Sequence, residues 1–161
     1  MTRTSRFPHL ANLGLTFGAA GVVMLGLMPG GGAAHAQGVT TYSYEGSFDD
    51  AAFALENAIL GKGLVIDSVS HVGEMLSRTR ADVGSEVEIY DNADMYLFCS
   101  AVLSRKMMEA DPLNLAHCPY GIFVMEREGA VQIGFRDYPE GPMQEVQGFL
   151  NEIAQEAVEG F

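Results

Sequence analysis

The sequence predicts an α+β domain: a two-layer sandwich with helices packed on one face of a largely antiparallel or mixed sheet. Three observations predict it. Four segments with helix caps or helical apolar spacing alternate with short β-branched or aromatic runs, a hairpin signal joins two of those runs directly, and no dinucleotide fingerprint opens a helix. The expected order is β-α-β-α-β(β)-α-β-β-α.

The first 36 residues stand apart from that fold. Arg3 and Arg6 make a basic start, Leu10 to Met28 is apolar or small throughout, and the Pro-Gly stretch that follows ends in Ala34-His35-Ala36. This arrangement reads as a secretory signal peptide cleaved after Ala36, which places the mature domain, residues 37–161, in the periplasm or outside the cell. The apolar run is long enough to span a bilayer, but its glycines and the small-x-small site favour removal. No stable membrane anchor is expected after cleavage. Gln37 rather than a cysteine follows the site, which speaks against a lipoprotein.

The whole chain carries 9 basic and 21 acidic side chains. Without Arg3 and Arg6 the mature domain has a net charge of −14, a field that repels nucleic acid and anionic lipid and favours solubility. No linker or repeat divides the rest, so one domain is expected. It is large enough to hold a core without a cross-link.

Val39 to Gly46 alternates weakly and is rich in Thr and Tyr, which suits an edge strand. Ser47 and Asp50 form a capping-box-like start for a helix whose Phe48, Ala52, Leu55 and Ile59 share a face. Gly61 or Gly63 ends it. Leu64 to Val69 is a short strand, and Ser70 caps a second helix with Val72, Met75, Leu76 and Thr79 on one side. Val87 to Tyr90 and Met95 to Cys99 read as two strands or as one with an irregular lead-in, with the turn residues "DNAD" between them. Ser100 caps a short helix from Ala101 to Glu109 that Asp111-Pro112 stops, and "DPLNLAHCP" reads as a loop. "YGIFVME" and "AVQIGFR" form a hairpin around Arg127-Glu128-Gly129. In its second strand Val131, Ile133 and Phe135 alternate with Gln132, Gly134 and Arg136, so the sheet keeps one wet or functional face. Gly141-Pro142 opens a last helix with Met143, Val146, Phe149, Leu150, Ile153 and Ala157 in a core-facing stripe.

With "SFDDAAFALENAILGKGLVI", "YLFCSAVLSRKMMEADPLNLAHCPYGIFVME" and "GAVQIGFRDYP", the chain resembles an exported member of the domain-of-unknown-function 302 family from about residue 42 to 157. The resemblance implies a compact α+β domain and supplies no catalytic residue. It also marks Cys99 and Cys118 as a candidate site.

Those are the mature chain's two cysteines, and four chemistries stay open for them. An oxidising compartment and an even count allow a disulfide, provided that the strands they border run antiparallel. Two buried free thiols are the alternative. Cys99, His117 and Cys118, with His71 or Met75, Met107 and Met108 nearby in the chain, could hold a soft metal, and a reactive or redox thiol completes the set. No Cys-x-x-Cys, covalent-haem, serine-hydrolase, zinc-protease or phosphate-loop pattern occurs. The expectation is therefore a non-enzymatic domain without a cofactor, binding an unknown protein or small molecule through the open sheet face near Arg136, Gln132 and Tyr120. The same face could serve a homodimer. The competing expectation is a thiol-dependent redox, sulfur-handling or metal-binding protein using Cys99 and Cys118.

Overall fold

The computed structural model describes residues 34–36 and 38–160. Its strands are β1 (Ala34–Ala36), β2 (Val39–Tyr44), β3 (Ile66–Ser70), β4 (Asn92–Phe98), β5 (Tyr120–Arg127) and β6 (Ala130–Arg136). Its helices are α1 (Phe48–Gly61), α2 (Val72–Thr79), α3 (Ala101–Ala110) and α4 (Gln144–Glu159), with a 3-10 helix over Pro112–His117. The sheet runs β1-β2-β6-β5-β4-β3 with every neighbouring pair antiparallel. The basic start and apolar run of the expected leader lie outside the described residues. Among those described, no helix is long and apolar enough to cross a membrane.

Alternation along the strands divides the sheet into two faces. Tyr42, Tyr96, Phe98, Tyr120, Ile122, Val124, Val131, Ile133 and Phe135 are buried together with Leu55 and Ile59 of α1, Met107 of α3, and Val146, Leu150 and Ile153 of α4. Each large apolar side chain removed from water in this layer contributes roughly 1.5–3 kcal/mol to folding. The hairpin turn is Glu128-Gly129, both at positive φ of 54° and 75°, the signature of a two-residue type I′ turn that matches the twist of the flanking strands.

Local chemistry sets the helix ends. Ser47 Oγ accepts from the Asp50 amide at 3.2 Å, and Asp49 and Asp50 sit at the positive end of the α1 dipole. Ser100 Oγ accepts from the Leu103 amide at 3.3 Å and starts α3. The Asp111 carboxylate then accepts from the Leu113 amide at 2.9 Å, so the stretch expected as a loop coils into the 3-10 helix instead.

Several sequence expectations are corrected. Of the two readings open for Val87 to Cys99, one strand with an irregular lead-in holds: β4 starts at Asn92, and Val87 and Ile89 before it are exposed. "DNAD" is largely strand: Asn92 pairs with Glu126, and the Asn92 side chain donates to the Glu126 carboxylate at 2.8 Å. α1 is rotated from the expected stripe, burying Ala51, Leu55, Ala58 and Ile59 while Phe48 and Ala52 are only half-buried. α2 starts after His71 rather than Ser70, and Pro142 lies in the turn before α4 rather than in its first position. β2 is one place in from the edge, its outer side covered only by the three residues of β1.

Candidate functional site

The direction of β4 and β5 decides how the cysteines meet. The two strands are antiparallel and Phe98 pairs with Tyr120, so the chain leaves β4 through Cys99 and returns to β5 through Cys118 at the same end of the sheet. The Sγ atoms are 2.8 Å apart. Both are free thiols, half-buried; a covalent bond between them would measure about 2.05 Å. Burial pushes the Cys99 thiol up to about 11, with the adjacent Cys118 sulfur and then Asp67 adding to it, while a bond from the Tyr120 backbone opposes the shift.

Hydroxyls line the approach to Cys118. Ser104 Oγ is 3.8 Å from Cys118 Sγ and donates to the Tyr120 hydroxyl at 3.3 Å. The Tyr120 ring meets Tyr138 edge-on, with centroids 6.2 Å apart, and His117 packs on the same Tyr138 ring at 5.6 Å. Tyr138 is 5% exposed, and its hydroxyl has no hydrogen-bond partner. Burial pushes it up to about 12 against the opposing pull of Arg136, with Tyr120 and then Cys118 adding to the rise.

The second feature lies on the face the main helices leave open. Gly121 and Gly134 fall there and leave room for neighbouring side chains. A Cβ at Gly121 would meet Met95 Sδ at 3.0 Å and Leu97 Cδ2 at 3.2 Å, and one at Gly134 would meet Phe123 Cζ at 2.6 Å. Met95, Phe123 and Met125, together with Val39, Ala93 and Val72, line a cleft of about 290 Å³. Tyr90 and Asp94 complete the lining, the Asp94 carboxylate itself engaged by His71 Nδ1 at 2.8 Å. α2 closes in on that end of the sheet because Gly73 lets it approach: a Cβ there would sit 2.6 Å from the Ala93 amide nitrogen.

The sequence matches the family described as "Domain of unknown function DUF302" over residues 39–160. The chain belongs to the DUF302 family. Among solved structures, "Crystal structure of uncharacterized conserved protein DUF302 from Bacillus stearothermophilus" is similar with 15% identity and a TM-score of 0.55, covering 77% of this chain and 90% of that one. At that identity the likeness speaks for the fold. No curated protein matches the chain.

Within this DUF302 domain the expected site residues divide into separate places. Cys99 and Cys118 come together. His117 turns to Tyr138 rather than completing a ligand set, and no group of three or more His, Cys, Asp or Glu that could hold a metal occurs among the described residues. Gln132 and Arg136 lie on the open face as expected. Tyr120 does not: it is buried to 1% exposure on the helix-covered side, because it shares the parity of Ile122 and Val124. Arg136 instead reaches the Tyr138 ring, its guanidinium 6.0 Å from the centroid. The residues missed were Met95, Phe123 and Met125, whose alternation within β4 and β5 was legible, and Ser104 and Tyr138, for which the sequence carries no signal.

Proposed function

We propose that this DUF302 chain is exported, loses its leader after Ala36, and serves as a non-enzymatic domain that holds a small apolar molecule against the open face of its sheet. The cleft lined by Met95, Phe123 and Met125 carries the reading. Its volume of about 290 Å³ is roughly twice the ~150 Å³ that encloses a benzene ring and lies at the lower bound of small-molecule sites. Two methionines and a phenylalanine give it a wall that adapts to ligand shape, and Tyr90 adds a polar group for orientation. Its size suits a bicyclic aromatic or a short alkyl chain better than a protein segment. The charge of the mature domain favours a neutral or cationic ligand over an anionic one. Cleavage after Ala36 would also remove β1 and leave β2 as the edge strand that its Thr-rich and Tyr-rich sequence suits.

The neutral fluorophore N-phenylnaphthylamine tests the site. Its fluorescence should rise with saturation on the wild type, Met125→Lys should weaken binding at least about tenfold by placing a charge in an apolar wall, and Arg136→Glu should leave it unchanged. Equal binding by wild type and Met125→Lys would refute the cleft. N-terminal sequencing of exported protein tests the leader: a chain beginning at Gln37 is expected, and one retaining Leu10 to Met28 would overturn the export reading.

A further inference from the structure

A different observation, independent of the cleft, concerns the sulfurs. We propose that Cys99 and Cys118 form a reversible thiol–disulfide site in which Cys118 is the thiol that reacts with an external disulfide and Cys99 the thiol that resolves it, with Ser104, Tyr120 and Tyr138 as positioning residues for the Cys118 sulfur. The antiparallel ends of β4 and β5 already hold the Sγ atoms 2.8 Å apart, so closing the bond asks for a shift smaller than 1 Å relative to about 2.05 Å. Neither thiol is sealed in the core.

The surroundings of the two sulfurs differ, and that difference assigns the roles. Cys99 follows buried Phe98 and keeps its proton, its thiol pushed up to about 11 by burial first and by its neighbour second. Cys118 stands at the end of a line of hydroxyls. Ser104 is 3.8 Å from its sulfur and can turn its proton from Tyr120 towards it. Tyr138 keeps a hydroxyl that is enclosed yet unpartnered, an arrangement that costs stability unless some state of the protein uses the donor. Cys118 is the last of the groups that push it up, after burial and Tyr120. Tyr138 packs edge-on against Tyr120, whose hydroxyl accepts from Ser104, and so positions that line of hydroxyls beside Cys118. The Ser104 hydroxyl can donate to the Cys118 sulfur as it attacks or leaves.

The chemistry balances with a low-molecular-weight or protein disulfide as oxidant. The Cys118 thiolate attacks one sulfur of the external disulfide, forming a mixed disulfide and expelling one thiolate. Cys99 then loses its proton and attacks Cys118 Sγ, forming the Cys99–Cys118 bond and expelling the second. Two electrons pass from the cysteine pair to the external disulfide, and the two thiol protons end on its two released thiolates. Reduction by an external dithiol runs the same steps backwards.

The test uses the full chain and oxidised glutathione, followed by mass spectrometry. Wild type should lose the mass of two hydrogen atoms and accumulate no adduct. Cys99→Ser should accumulate one glutathione adduct on Cys118, and Cys118→Ser should react at least tenfold more slowly. Adding Tyr138→Phe and Ser104→Ala to Cys99→Ser should displace the pH profile of adduct formation to higher pH, which a merely structural role would not do. If a variant with the hydroxyls removed fails to fold, as circular dichroism would show, the comparison of the two single cysteine variants still decides. Equal rates at the two cysteines, faster reaction at Cys99, or a wild type that stays dithiol in excess oxidised glutathione would each overturn the proposal.

Discussion

Replacing Gly134 by alanine tests the packing on which the open face depends. A Cβ at that position would meet Phe123 Cζ at 2.6 Å, the Thr40 carbonyl oxygen at 2.7 Å and Thr41 Cγ2 at 2.9 Å. A flexible side-chain tip could move aside, but the Thr40 oxygen belongs to the backbone of β2, which pairs with β6, so the two strands must part. Overpacking of this kind costs roughly 1–3 kcal/mol. For a domain of this size that corresponds to a drop in Tm of roughly 3–15 °C, read by circular dichroism. Phe123→Leu in the Gly134→Ala background should restore only the part due to the ring, because the Thr40 contact persists, and the cycle should give a coupling energy of about 0.5 kcal/mol or more. The displaced Phe123 ring should also weaken N-phenylnaphthylamine binding. A Tm for Gly134→Ala equal to wild type would refute the close approach of Phe123 and β2 at Gly134.

Gly148 offers the opposite case: it is exposed in the interior of α4 with nothing within 4 Å of an added Cβ, so Gly148→Ala should stabilise by roughly 0.5–1 kcal/mol in urea unfolding. Leu150 is fully buried, and Leu150→Ala should cost about 2–5 kcal/mol by the same assay. The Tyr138 hydroxyl is raised from 10.0 to about 12, first by burial; the folded chain therefore holds that proton more tightly than the unfolded one. Its contribution is complete below pH ~10 and is lost as the pH rises to about 12, an amount on the order of 2–3 kcal/mol. Tyr138→Phe should flatten this alkaline loss and leave stability at pH 7 unchanged or higher, because the hydroxyl it removes is unpaired; a steeper loss in the variant would contradict the assignment. Oxidation of the cysteine pair closes a loop of about 20 residues and should raise stability by roughly 3 kcal/mol in the loop-entropy description, measured as a shift of the urea midpoint between reduced and oxidised protein.

Where local chemistry and tertiary demand agree, the sequence is a good guide. The Glu128-Gly129 turn, the Ser47 and Ser100 caps and the α4 stripe each follow from side chains acting within a few residues. Where an element's fate depends on what another offers, it is not. Val87 to Tyr90 has strand composition but pairs with no strand, and the face of α1 is set by how it lies against α4 and the sheet rather than by its own most apolar positions. The cysteine pair depended on one bit of topology, the direction of β5 relative to β4, which no local pattern encodes. Tyr120, expected beside the open face, shares the parity of Ile122 and Val124 and so turns to the helices. The cleft combines residues from β2, β4, β5 and α2, so only the alternation of Met95, Phe123 and Met125 within their own strands is legible in the sequence, and Ser104, Tyr120 and Tyr138 arrive near Cys118 from three separate segments.

The binding cleft is tested most directly by nuclear magnetic resonance of the full chain with labelled methionine methyl groups, titrated with N-phenylnaphthylamine. The methyls of Met95 and Met125 should shift with the probe and show direct proton contacts to its rings, while those of the core residues Met107 and Met143 stay in place. Contacts elsewhere on the surface, or none to Met95 and Met125 at saturating probe, would contradict the account.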